Sequence, residues 1–138
     1  MAESRTKKIV KPPEGSIHPL PWPYSHGVLV GDTLYLAGQV ALDEELRLIG
    51  PGDFREQARQ TWRNIQTVVE SAGGSLADVV RVTTYLVDLS HLETLHEVRR
   101  EFLGEAGFPA ATVVEAKALG LPGLLLEVEA TAVIGTGG

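Results

Sequence analysis

The apolar positions of this chain fall into blocks with two different periods. Val28-Leu29-Val30 and Thr33-Leu34-Tyr35-Leu36-Ala37 are short β-rich runs separated by Gly31-Asp32. A glycine-led pair between two apolar runs is a two-residue hairpin signal. Gly38-Gln39 ends the second run, and residues 41–52 read as a polar loop with room for a short strand at 46–49. From Asp53 the period lengthens. Phe54, Ala58, Trp62, Ile65, Val68 and Val69 form one stripe at helical spacing. Asp53-Phe54-Arg55-Glu56 has the capping-box pattern, and Gly73-Gly74 stops the helix. Residues 79–87 return to alternation, with Val80, Val82, Thr84 and Leu86 on one face and Arg81, Thr83, Tyr85 and Val87 on the other. Ser90-His91-Leu92-Glu93 is a second capping box. Leu92, Leu95, Val98 and Phe102 make a second helical stripe, ended by Gly104 and Gly107. Two further strands, 108–115 and 124–130, flank the loop Gly120-Leu121-Pro122-Gly123.

The predicted order is therefore ββ-α-β-α-ββ, an α+β fold. Two helices cannot cover both faces of so wide a sheet. They should pack on one face and leave an apolar face for a partner subunit, which predicts an oligomer. Before this domain, assigned to residues 23–135, lies a Pro-rich arm, residues 1–22. Pro12, Pro13, Pro19 and Pro21, with Pro23 at the junction, keep that segment extended rather than helical.

Length and charge narrow the function classes. A chain of 138 residues reads as one domain. It has no long apolar run and no apolar signal core at its start, so it is expected to be cytoplasmic and not membrane-bound. Cysteine is absent, which removes disulfides, thiolate nucleophiles and Cys-based zinc sites. A net charge of -6 argues against nucleic acid as a partner. His18, His26, His91 and His96 form no pair at metal-ligand spacing, so no metal is expected. His18 and His26 read as loop residues, and Trp22 and Trp62 as core or interface residues.

The candidate chemistry sits in the last strand. Leu124-Leu125-Leu126-Glu127-Val128-Glu129-Ala130 carries two carboxylates into an apolar run. A carboxylate in an apolar setting costs free energy unless it is paired or working. The plain alternative for Glu127 and Glu129 is a solvated or inter-subunit salt-bridged face. Glu115 and Lys117 have the same alternative.

Several short motifs follow one another in a telling order. These are Pro23-Tyr24-Ser25-His26-Gly27-Val28, Ala37-Gly38-Gln39, Gln57-Ala58-Arg59-Gln60 with Asn64, Ala72-Gly73-Gly74, and Phe108-Pro109-Ala110. The set resembles the YjgF/RidA reactive-intermediate deaminase family, also called the endoribonuclease L-PSP family, over roughly residues 20–134. The resemblance implies a chorismate-mutase-like fold, a mostly antiparallel sheet with both helices on one face. It also implies a homotrimer with small-molecule sites in clefts between subunits. Hydrolysis of enamines and imines, without metal or organic cofactor, is the activity it implies.

Tyr24, Gly38 and Glu127 match the family pattern. Glu127 is the implied catalytic group, holding water and moving its proton. Tyr24 would orient the substrate, and the bare Gly38 backbone permits close approach. Three positions depart from the pattern. Ala111 stands where an arginine grips the carboxylate of a 2-imino acid, Val113 where a small polar or thiol residue is often found, and Ala37 where a serine often precedes Gly-Gln. Losing a charged hydrogen bond costs about 1.5–3 kcal/mol. Weak or no activity on ordinary 2-imino acids is therefore expected. Lys117 is a candidate replacement cation, because residues 111, 113, 115 and 117 alternate onto one strand face, although lysine lacks arginine's fork. His96 lies on the second helix, where the family often places a ligand-contacting polar residue. Two functions compete: a divergent imine or enamine hydrolase, and a ligand-binding or regulatory trimer without catalysis. RNA cleavage, suggested only by the family's older name, is disfavoured by the acidic charge.

Overall fold

Local signals set most of the elements in the computed structural model, which describes residues 6–138. Strand β1 (Lys8–Val10) lies inside the segment read as a Pro-rich arm; the first five residues of that segment fall outside the described residues. Strands β2 (Gly27–Val30) and β3 (Thr33–Gln39) form the expected hairpin, with Gly31 at φ 57° supplying the left-handed turn position. Between β3 and the first helix there is a single bridge, Leu42 to Leu48, instead of a strand at 46–49.

Helix α1 (Phe54–Ser71) begins where predicted. Asp53 accepts a hydrogen bond from the Glu56 amide at 3.0 Å. All six residues of the predicted stripe are buried, Trp62 and Ile65 completely. Strand β4 (Val79–Leu86) follows a short 3₁₀ turn, then comes α2 (Leu92–Leu103). The predicted cap of α2 is not used. Asp88 accepts from the Ser90 amide and starts a 3₁₀ turn over Leu89–His91, which moves the helix start past Ser90. The His91 ring instead stacks on Phe54, centroids 4.5 Å apart. Strands β5 (Ala110–Glu115) and β6 (Leu126–Val133) complete the chain.

The sheet order is β1-β2-β3-β6-β4-β5. Every pairing is antiparallel except β4 with β5, which is parallel. Both helices cover one face. There Leu34, Leu36, Val82, Leu86, Leu126, Val128 and Ala130 pack against the α1 stripe, Leu95 and Val98. Bidentate Arg59–Glu101 and the Arg55–Glu97 pair join the exposed flanks of the two helices. One predicted face assignment fails. Val80 is exposed because an irregularity between Val79 and Arg81, seen in the pairing of β4 with β6, rotates it off the core side. The face away from the helices is not simply apolar. Tyr35, Tyr85 and Val114 share it with Glu127 and Glu129, by their register across β3, β6, β4 and β5. Among the described residues no helix is long and apolar enough to cross a membrane.

His18 and His26 lie in loops, as expected, and both are buried. His26 Nε2 donates to the His18 carbonyl at 2.9 Å, and Gln39 donates to His26 Nδ1 at 3.1 Å. Those bonds fit one neutral tautomer. Burial, with the neighbouring His26, lowers the His18 pKa from 6.5 to about 4, and burial also lowers that of His26. The folded state then binds fewer protons than the unfolded state between pH 6.5 and about 4, so stability is lost as pH falls through that window. For His18 alone the loss is about 3 kcal/mol. Urea midpoints should fall over this range, and His18→Gln should flatten the slope.

Candidate functional site

Period-2 alternation places the two β6 carboxylates. Leu126, Val128, Ala130 and Ala132 enter the core, so Glu127 and Glu129 point to the open face, opposite Tyr85 and Thr83 of β4. Tyr85 donates to Glu129 at 2.8 Å, which occupies that carboxylate. Glu127 has no hydrogen-bond partner for its carboxylate among the described residues and is partly buried. Burial first, and the Glu129 charge second, raise its pKa above the usual carboxylate range.

The other side of Glu127 is set by an irregularity in β3. Pairing with β6 shifts register between Leu36 and Gln39, and the Gly38 backbone comes directly beneath the carboxylate. A Cβ on Gly38 would lie 2.1 Å from Glu127 Oε2. The glycine is needed for space, since its φ is not positive. Tyr24 completes the corner, half exposed and stacked on Trp22 with ring centroids 6.3 Å apart and planes within 7°. Burial, then the Glu127 charge, raise the Tyr24 pKa, so its hydroxyl keeps its proton at neutral pH. Tyr24, Trp22, Gly38, Leu42, Leu121 and Glu127 line a depression of about 260 Å³.

A second depression, of about 170 Å³, lies on the opposite face of the same sheet. The parallel register pairs Ala111 with Val82 and Val113 with Thr84, so these β5 residues face the helix side. His96, Arg99 and Arg100 of α2 meet Phe108, Pro109 and Ala111 there. Val113 packs against the edge of the core instead of lining this space. Lys117 lies beyond the end of β5, exposed, and lines neither depression. The alternation that would have carried it onto the strand face stops at Glu115, which accepts from the Leu89 amide. The seven site candidates thus divide: Tyr24, Gly38 and Glu127 converge on one face, His96 and Ala111 on the other, and Val113 and Lys117 join neither group.

The profile of the Endoribonuclease L-PSP family matches residues 18–134, which spans both depressions. The chain belongs to the YjgF/RidA family. A RutC family protein of Pyrococcus abyssi is 42% identical over 110 residues, covering 80% of this chain and 85% of that one. The human 2-iminobutanoate/2-iminopropanoate deaminase is 32% identical over 113 residues, covering 82% of this chain and 81% of that one. A solved structure of RidA from an Antarctic Psychrobacter superposes with a TM-score of 0.81 at 36% identity, covering 89% of this chain and 98% of that one. The fold is the one these RidA relatives share.

Sequence reasoning missed two residues within this RidA scaffold. Trp22 was read as a core or interface residue and not as a ligand contact; it is exposed and lines the depression with Tyr24. Arg99 was not singled out, although it follows His96 by three positions and so shares its helix face. Its Nη2 donates to the buried Thr84 hydroxyl at 2.9 Å. Burial lowers its pKa, and burial, Arg99 and Arg100 together lower that of His96 against a smaller opposing effect of Glu93. Among the described residues, no group of three or more His, Asp or Glu is placed to hold a metal ion.

Proposed function

We propose that the protein hydrolyses small enamines or imines in clefts shared between the subunits of a homotrimer. The observation that carries this reading is the Glu127 carboxylate, partly buried and unbonded among the described residues, with Gly38 beneath it and Tyr24 beside it. The kinship with proteins named imine deaminases supports the reaction class.

In this mechanism Glu127 takes a proton from a bound water as the water oxygen attacks the C=N carbon. It gives that proton to nitrogen, forming the carbinolamine, then takes the remaining hydroxyl proton and delivers it to the same nitrogen as the C–N bond breaks, so ammonia leaves with both water protons and the carbonyl forms. A raised carboxyl pKa suits a group that must both accept and give a proton near neutral pH. Tyr24 donates its hydroxyl to orient the substrate. Two features support assembly. The Glu127 corner and the His96–Ala111 depression lie on opposite faces of one sheet, so only a second copy can join them. The open face also leaves Tyr35 54% and Val114 39% exposed. A heterologous contact repeated three times closes into a ring with three such junctions.

Imines generated in place by an amino-acid oxidase, and followed by ammonia or semicarbazone formation, test the reaction. Faster loss of at least one imine is expected. No acceleration across apolar, polar and acidic amino-acid precursors would refute catalysis. Ala111 favours the second reading, a binding trimer without turnover. That reading is distinguished by ligand-dependent stabilisation in thermal-shift screening without acceleration of any imine. Light scattering should report a trimer, and a stable monomer would refute the shared cleft.

A further inference from the structure

The depression between α2 and β5 holds cations and no matching acid. Arg99 is the central one. Its guanidinium makes one hydrogen bond, to Thr84, and its Nε is buried without a partner. The other helix arginines nearby are satisfied. Arg55 is paired with Glu97, and Arg59 with Glu101. Arg99 has no carboxylate within ion-pair distance among the described residues, and Arg100 in the same depression reaches only Glu105 at 3.9 Å. A partly desolvated guanidinium without an anion is costly unless a ligand supplies one. Its planar fork matches a carboxylate, which it can hold with two parallel bonds. Phe108, Leu103 and Pro109 give the same space an apolar wall suited to a short alkyl chain. With about 170 Å³ available, the fit is to a small acid rather than a polymer.

We infer that Arg99, projecting from α2 into the space beside Ala111, is the anion anchor of this site, and that its ligand is a small monocarboxylate. This deepens the proposed function and rests on it for the reaction, though not for binding. It revises the sequence-based expectation of weak or no activity on ordinary 2-imino acids. The cation is supplied from the helix, three residues after His96. The substrate class becomes imines that carry a carboxylate, gripped from a different direction than an arginine at position 111 would use.

Calorimetric titration with 2-oxobutanoate, an unreactive carbonyl counterpart of such imines, tests the anchor, with 2-butanone as the neutral control. The parent protein should bind the acid and discriminate against the ketone. Arg99→Gln should weaken acid binding by about ten- to a hundredfold and erase the discrimination. Arg99→Lys keeps a charge without the fork and should fall between. Arg99→Gln with Ala111→Arg should regain part of the affinity, which a merely unfolded variant would not do. In turnover, Arg99→Gln should raise KM for the carboxylated imine with little change in kcat. No saturable binding of 2-oxobutanoate by the parent, or equal affinity in Arg99→Gln, overturns the anchor. The two proposals fail separately. Arg99-dependent binding without any imine hydrolysis refutes the catalytic reading alone, and hydrolysis that is indifferent to Arg99→Gln refutes the anchor alone.

Discussion

Glu127→Gln should slow imine hydrolysis by about 10²–10⁴-fold and leave the protein at least as stable as its parent. The two halves of this expectation come from the same feature. Burial and the Glu129 charge raise the Glu127 pKa, so the folded protein holds its ionised form at a cost. The sign follows. With the folded pKa above the unfolded one, the folded state binds more protons in the window between them, and stability falls as pH rises through it. Glutamine keeps the shape and removes the charge, so the melting temperature should hold or rise while activity is lost. The acid limb of kcat/KM should also sit above the ordinary carboxylate value of 4.5 and vanish in the variant. A variant that loses stability along with activity would place Glu127 in the structure rather than in the reaction.

Gly38→Ala should be the next most damaging substitution, for a geometric reason. The added Cβ would meet Glu127 Oε2 at 2.1 Å, Cδ at 2.8 Å and Cγ at 2.9 Å. These atoms are the far end of a flexible side chain, and Gly38 does not occupy a positive φ. The fold can therefore accept the methyl group by swinging the carboxylate aside. A displacement of about 1 Å in a reacting group costs on the order of 10²-fold in rate. Activity should fall by about that amount, with a change in melting temperature of only a few degrees. Steady-state kinetics beside thermal unfolding measures both. Full activity in the alanine variant would mean that the carboxylate works from another position.

The contrast between what the sequence disclosed and what it hid follows from the range of the interactions. The α1 stripe and the alternation of β6 were legible because burial has the period of the element itself. Asp53 was legible because its cap bond spans three residues. Val80 was misplaced because the irregularity that turns it outward depends on β6, nearly fifty residues later. Strand β1 was hidden because its partner, β2, lies beyond a run of prolines. The burial of His18 and His26 within their loops was hidden because the group that satisfies His26 is Gln39, on strand β3. The site shows the same division. Tyr24, Gly38 and Glu127 converge as the motifs suggested. Position 111 was read alone as a missing cation, and only the packing of α2 over β5 brings Arg99 beside it. Lys117 does not share a strand face with Ala111 and Val113 because β5 ends before it. That the candidates divide between two faces could not be read without knowing that β5 runs parallel to β4.

The central claim is that each working site takes one face from one copy and the opposite face from its neighbour. Mixed assemblies of Glu127→Gln chains with Ala111→Trp chains, the second substitution filling the depression under α2, test it most directly. Each variant alone should be inactive. In trimers reassembled from equal amounts, about one junction in four combines two intact halves, and activity should return to about that fraction of the parent. Mixtures as inactive as the separate variants would contradict the shared site.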